Sequence, residues 1–465
     1  MIVFDSIISV SSNSSGGGGG SSNDILTTSE YLILIFLAMI FAAALFSSRT
    51  KVPYTMGLVG IGIAISLFLG LARGEVGGLN ILNFNRLDPK LIIDFIIPPL
   101  IFEAMMKVDY YNEFKAIRVS ALLLATLGVV IATVVTGLLL MYLAHLPLLI
   151  AFTFAALIAP TDAAIVIEIF KRVRGVPGLL STIMESEATL NDATGIIVFS
   201  SIITLASYSY FLNSDGSFSS NIITNNFIVY EIVRFIIVFF GGVAIGLGIA
   251  AATHRLHSLM NDPFSETALT IATVFGSVVL ANSLGVSGLV AVAVAGLYFG
   301  NATVKKEADM SLKVRTAVFN FWEMAAFFAN SVAFLYLGIS MNILRIAENF
   351  PLIALAFVAV LVARAVSTYP ILAVTNRLTR EKIPVIWRHV VMLGGMRGAI
   401  SVALVASIPS TAAREFKTTL ETITFGVVLL SLVIQYIVLT KYVRKAFPKD
   451  TAIAANVDNT NLPED

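Results

Sequence analysis

The stretches AFTFAALIAPTDAAIVIEIF (residues 151–170) and ESEATLNDATGIIVFSSIITLA (residues 185–206) decide how this chain folds. Each is long and apolar enough for a helix that crosses a bilayer, which takes about 20 residues. Each also carries an acid where hydrocarbon is expected. In the first it is Asp162, beside Pro160 and Thr161; in the second it is Asp192, beside Asn191. An ionised carboxylate at membrane depth is costly, so such residues face a bundle interior or a watery cavity. Two of them on consecutive spans, each with a polar neighbour, point to one shared site for a small cation.

Working outward, the composition agrees with a membrane setting. The 465 residues are 57% hydrophobic and 13% charged, against about 25% charged in an ordinary soluble domain. A net charge of +1 implies no nucleic acid and no other highly charged partner. The absence of cysteine excludes disulfides and thiolate metal sites. The four histidines, His145, His254, His257 and His389, have no ligand spacing, and neither HExxH nor a G-x-x-x-x-G-K-[ST] phosphate loop occurs. No cofactor is expected, any pumping runs on an ion gradient, and the chain is read as a transporter rather than an enzyme.

The hydropathy pattern predicts about thirteen spans. They are 29–48, 53–72, 90–106, 118–144, 147–170, 178–208, 226–252, 264–283, 285–302, 314–343, 350–375, 386–410 and 418–441. Every backbone polar group must be satisfied inside lipid, so the spans are helices and the fold class is an all-α polytopic membrane protein. Residues 1–28, with SSNSSGGGGGSSN, read as a flexible segment, 29–445 as the transmembrane unit and 446–465 as a short cytoplasmic tail. With the N-terminus outside, most of the 30 lysines and arginines fall on the cytoplasmic side. The outer side holds only Arg73, Arg86, Lys90, Arg345, Arg414 and Lys417, and Arg234, Arg364 and Arg397 lie within spans. That asymmetry follows the positive-inside rule and predicts a multi-pass cell-membrane protein with its C-terminus inside.

Two spans read as broken. The fifth holds Pro160-Thr161-Asp162 at its middle and the twelfth holds Gly394-Gly395-Met396-Arg397-Gly398. Interruptions at corresponding positions of two halves mark an inverted-repeat transporter with its site near the midplane. Spans 1–6 and 8–13 are then the repeats.

The intramembrane polar residues divide by role. Near Pro160 the hydrogen-bond ladder is broken, so carbonyls around Thr161 are free for a hard cation, which prefers oxygen ligands. Asp162 reads as a site residue, or as the cap of a half-helix. Asp192 has no proline near it and no evident capping role. A carboxyl buried there is driven to hold a proton or a cation, and cannot hold both, which is the minimal logic of an exchanger. Asn191 lies about 100° round the helix from Asp192 and is suited to holding neighbouring backbone. Glu187 and Arg397 are predicted to pair, since unpaired buried charges are costly. Glu103 reads either as an interfacial i,i+4 partner of Lys107 or as a residue of the site. Arg364 and Glu323 are secondary candidates for polar contacts between helices.

Taken together these residues resemble the sodium/proton antiporters of the NhaP type, in the cation:proton antiporter superfamily. The similarity lies in LIFEA around Glu103, APTDAA around Asp162, the Asn191-Asp192 pair, DPFSETALT (262–270), LGVSGLVAVAVAGLYFGN (284–301), WEMAAFFANS (322–331) and GMRGAISVALVASIP (395–409). The resemblance implies a homodimer of thirteen-span protomers, each with a dimerisation scaffold and a moving six-helix core. It implies that the two broken spans cross near the site and that Asp162 and Asp192 bind Na⁺ or Li⁺ in exchange for H⁺. It also implies that the Thr161 carbonyl is a ligand, that Glu103 is an accessory acid and that Glu187 and Arg397 form a structural ion pair. Alanine stands at position 188, where the family often has serine, so Thr189 or water is left to substitute for that hydroxyl. The Asn-Asp pair resembles the electroneutral branch, which implies one Na⁺ for one H⁺. K⁺/H⁺ exchange, a passive cation channel and an intramembrane acid protease built on the two aspartates are the competing readings.

Overall fold

The computed structural model describes residues 37–50, 52–72, 92–108, 114–173, 175–212, 225–257, 262–304, 311–379, 382–408 and 414–448. The expected flexible segment 1–28 and the tail beyond residue 448 lie outside them. Among the described residues there is helix and no strand, and helix occurs in every segment the hydropathy pattern marked as a span. Among the described residues six helices are long and apolar enough to cross a membrane by length and composition.

We number the helices in chain order. They are α1 (Leu37–Thr50), α2 (Tyr54–Ala72), α3 (Ile97–Lys107, entered through a π-helical turn Ile92–Ile96) and α4 (Lys115–Leu143). The broken fifth span gives α5a (Leu148–Ile158) and α5b (Ala164–Arg172). Next come α6 (Gly178–Leu212), α7 (Asn225–His257), α8 (Pro263–Ser283), α9 (Gly288–Tyr298), α10 (Leu312–Ser340) and α11 (Phe350–Leu378). The broken twelfth span gives α12a (Val385–Leu393) and α12b (Ala399–Ala406), and α13 begins at Arg414 and runs to Ala446 through a π turn.

Local chemistry sets several of these ends. Asp262 accepts the Ser265 amide at 2.9 Å and starts α8 with Pro263 in its first turn, where the missing N–H is no loss. Ser287 and Ser311 cap α9 and α10 in the same way, through the amides of Val290 and Val314. Pro160 and the Gly394-Gly395 pair fall where α5 and α12 are interrupted, as the sequence predicts.

The packing carries a two-fold pattern. Helix α2 packs on α10 as α9 packs on α3. Helices α4 and α11 pack on each other, and α5a and α12b meet. Helix α5a lies against α4 as α12a lies against α11, and α6 lies against α4 and α5 as α13 lies against α11 and α12. Shifting each helix number by seven exchanges the partners, which is the inverted repeat in three dimensions. The same packing sorts the helices into two bundles, α4, α5, α6, α11, α12 and α13 in one, α2, α3 and α7–α10 in the other. Inside the first bundle α6 crosses the α5 break closely enough that a Cβ at Gly195 would stand 2.1 Å from Pro160 Cγ, so only glycine fits there.

Candidate functional site

The two breaks meet. The Asp162 amide donates to the Met396 carbonyl at 2.8 Å, joining the interruption of α5 to that of α12 by backbone alone. A helix that stops in the membrane leaves its last carbonyls without donors. Here Arg397 supplies them: Nη1 donates to Ala159 O at 2.6 Å and to Pro160 O at 3.0 Å. The break in α12 is held in turn from α13. The Arg397 amide donates to Ser431 Oγ at 3.0 Å, Ser431 and Gln435 are joined at 2.5 Å, and Gln435 Nε2 donates to Leu393 O at 3.2 Å.

Arg397 therefore does not pair with Glu187, contrary to the sequence expectation and to what the family resemblance implies. The partner of Glu187 is Arg364 of α11, in a two-pronged contact with Nη1–Oε1 at 2.6 Å and Nη2–Oε2 at 2.8 Å. Arg364 Nη2 also donates to Val391 O at 3.1 Å. The reason is geometric. Glu187 faces α11 in the interior, and the planar guanidinium of Arg364 meets both carboxylate oxygens at once. Arg397 sits in the break, where orphaned carbonyls offer acceptors that no helix N–H can fill. All three side chains are buried.

Asn191 ties α6 to the α5 break. Its Oδ1 accepts the Thr161 amide at 3.2 Å, and its Nδ2 donates to Thr161 Oγ1 at 2.7 Å and to Glu187 Oε1 at 3.4 Å. Both ends of the amide are thus engaged by protein, as expected for a residue that holds neighbouring backbone. Among the described residues no donor reaches the Thr161 carbonyl.

The two aspartates are held differently. Asp162 Oδ1 accepts the Ala164 amide at 2.8 Å and so caps α5b. Its carboxylate also lies against the start of α12b, where a Cβ at Gly398 would stand 2.1 Å from Oδ2. Asp162 is thus set at the N-terminal ends of two half-helices, where backbone N–H groups favour negative charge. Asp192 sits mid-helix in α6, and among the described residues it accepts no protein hydrogen bond. Both carboxylates line one cavity of about 430 Å³ between the two bundles, with Thr161, Thr189, Ala188 and Glu103 also on its wall.

On the cavity's wall Lys107, Lys171 and Glu323 are exposed, whereas Thr161 and Thr189 are buried, so its mouth lies where Lys107 and Lys171 end α3 and α5b and Glu323 projects from α10. Glu103 pairs with Lys107, one turn on in α3, and Lys107 Nζ stands 3.8 Å from Glu323 Oε1 of α10. Glu323 is thus a wall residue of the cavity's mouth. One element of the wall was missed in the sequence. The hydroxyl of Ser401, on α12b, is buried and has no hydrogen-bond partner, yet Ser401 lines the cavity. Its only sequence signal was its place one turn beyond Gly398. A second buried pair, His257 Nδ1 with Glu266 Oε2 at 2.7 Å, joins α7 to α8 away from the cavity. The spacing of the histidines gave no hint of it. No cluster of three or more His, Cys, Asp or Glu side chains able to hold a metal ion occurs among the described residues.

Comparison with known proteins agrees with this architecture. The family profile described as "Sodium/hydrogen exchanger, transmembrane" matches residues 33–445. The chain is 33% identical over 397 residues to the Na(+)/H(+) antiporter ApNhaP of Aphanothece halophytica, covering 85% of this chain and 70% of that one. It is 30% identical over 416 residues to the Na(+)/H(+) antiporter NhaH of Halobacillus dabanensis, covering 89% of this chain and 96% of that one. Its fold matches the structure of the sodium proton antiporter MjNhaP1 from Methanocaldococcus jannaschii at pH 8 with a TM-score of 0.70 and 20% identity, covering 91% of this chain and all of that one.

Proposed function

The chain belongs to the sodium/hydrogen exchanger family, and on that premise we propose that it is a secondary antiporter exchanging Na⁺ for H⁺ across a membrane. One observation carries the reading at the level of residues. Asp192 faces the cavity with no protein donor on its carboxylate, opposite an Asp162 that has one. A carboxylate at that depth holds either a proton or a cation. Arrival of one displaces the other, and that competition is the exchange.

The buried charges support a one-for-one stoichiometry. Glu187 is offset by Arg364, and Asp162 is held by the Ala164 amide at the N-terminal ends of α5b and α12b. Asp192 is the remaining acid of the set. Loaded with H⁺ or with Na⁺ it is neutral either way, so the site crosses the membrane without net charge. Asn191 in place of a second acid fits this, since its amide is already spent on Thr161 and Glu187. Sliding of the bundle that carries both breaks against the other bundle would expose Asp192 to each side in turn. Exposed Lys107 and Lys171 on the cavity's wall support a cytoplasmic mouth, by the positive-inside rule. We further propose that Li⁺ is accepted, that the protein resides in the cell membrane with its N-terminus outside and that it works as a homodimer.

The test is proton flux in sealed proteoliposomes, wild type against Asp192→Asn, challenged in turn with Na⁺, Li⁺ and K⁺. Flux driven by Na⁺ and Li⁺ in the wild type and lost in the variant is the expected result. Flux driven by K⁺ alone would reassign the substrate, and a fully active variant would remove Asp192 from the site. Clamping the membrane potential with K⁺ and valinomycin tests the stoichiometry. A rate that follows the imposed potential would rule out one-for-one exchange.

A further inference from the structure

Serines and threonines inside helices normally return their hydroxyl to a carbonyl one turn back. In this protein Thr194 does so to Leu190 O, Ser277 to Thr273 O and Ser331 to Phe327 O. Ser401 does not. It lies in the first turn of α12b, and the residue four back is Arg397, in the break. Its Oγ is buried, with the residue 1% exposed, and among the described residues it has no hydrogen-bond partner; of the buried serine and threonine hydroxyls in that state, only those of Ser401 and Thr55 belong to residues lining the cavity that holds both aspartates. A buried hydroxyl left unmatched costs about 1–3 kcal/mol, so it calls for a partner that protein does not supply.

Its position says what that partner is. Ser401 stands in the first turn of α12b, whose N-terminal end meets the Asp162 carboxylate at Gly398. It lines the cavity together with Asp162 and Asp192. Small monovalent cations, like the harder divalent ones, are held by oxygen ligands, hydroxyls among them. We propose that Ser401 Oγ is a ligand of the transported monovalent cation, completing from α12b the set that Asp162 and Asp192 supply from α5 and α6. The proposal rests on the exchanger reading above and adds a ligand to it. It also gives α12b a direct part in binding, so both broken spans contribute to the ion site.

The experiment compares wild type, Ser401→Ala and the double variant Ser401→Ala with Ala188→Ser. Ala188 lines the same cavity from α6, so the second change returns a hydroxyl from the facing wall. Half-saturating Na⁺ is read from proton flux in proteoliposomes, and Na⁺ binding is read separately from the Na⁺-dependent rise in melting temperature of the purified protein. The expected result is a rise of about three- to thirty-fold in half-saturating Na⁺ for Ser401→Ala, larger than its fall in maximal rate, and partial recovery in the double variant. A half-saturating Na⁺ within about twofold of wild type overturns the proposal, as does a lowered melting temperature with unchanged Na⁺ dependence, which assigns Ser401 to packing alone. If the wild type moves no protons in response to Na⁺, the exchanger reading fails instead. The melting shift then still decides whether Ser401 touches a bound cation.

Discussion

Replacing Glu187 by Gln tests the reassigned ion pair. Glu187 and Arg364 are both buried and share two short hydrogen bonds, at 2.6 and 2.8 Å. Removing one partner of such a pair strands the other charge and costs about 3–5 kcal/mol. Replacing both by Gln leaves two neutral groups, so the double variant is no worse than either single one. The coupling between the two positions is then at least about 3 kcal/mol, at or above the upper end of the range for contacting residues. Arg397 behaves differently. Arg397→Gln strands the Ala159 and Pro160 carbonyls, at about 1–3 kcal/mol each, and couples to Glu187→Gln more weakly than Arg364→Gln does, because those two side chains share no hydrogen bond and interact through charge alone. Melting curves of detergent-purified protein, followed by fluorescence-detected size exclusion at one heating rate, read the cycle. A change of 1 kcal/mol moves the midpoint by about 1–2 °C in a chain of this length, extending the known size scaling. The expected pattern is a loss of about 3–10 °C for Glu187→Gln or Arg364→Gln, with no further loss in their double variant. Strong non-additivity between Glu187 and Arg397, with simple additivity between Glu187 and Arg364, would refute the pairing.

Four further predictions follow from the site and its surroundings. Gly398→Ala drives a methyl to within 2.1 Å of Asp162 Oδ2, so exchange falls at least about 100-fold, by analogy with the effect of about 1 Å misplacements in other active sites, while the protein still assembles. Proteoliposome flux and size exclusion together check this. Lys107→Gln leaves Glu103 and Glu323 without their shared cation and makes the cavity mouth more negative. Half-saturating Na⁺ on that side therefore falls about two- to fivefold at low ionic strength, and the difference fades above about 0.1 M salt as screening sets in; identical salt curves for variant and wild type would contradict it. On the acid side of the pH profile, protons compete with Na⁺ for one carboxylate. Half-saturating Na⁺ then climbs towards about tenfold per pH unit, and a flat acid limb at subsaturating Na⁺ would exclude a shared carboxylate. At the start of α8, hydrogen bonds from the Ser265 amide and hydroxyl hold the Asp262 carboxyl below the ordinary carboxylate range. Its folded-state affinity for protons is thus lower than in the unfolded chain. Its stabilisation is present above about pH 4 and lost as pH falls through the folded value, so Asp262→Asn flattens that part of the acid unfolding curve.

The sequence by itself determined which segments are helices, because a bilayer demands about 20 apolar residues per span and forbids unpaired backbone. It located both interruptions, because Pro160 and Gly394-Gly395 cannot continue a helix without cost. It marked Asp162 and Asp192 as buried acids, since hydrocarbon has no use for a carboxylate, and the part Asn191 plays at the α5 break followed from its angle to Asp192 on α6. The tertiary structure alone decided the partners. Of the arginines within spans, Glu187 could have met Arg364, 177 residues away, or Arg397, further on, and nothing in either local sequence distinguishes them. The choice follows from which helix α6 faces and from the free carbonyls that only the crossing of two breaks creates beside Arg397. Ser401 was silent for the same reason. A serine in an apolar helix usually bonds its own backbone, and its free hydroxyl becomes visible only once α12b is seen against the cavity.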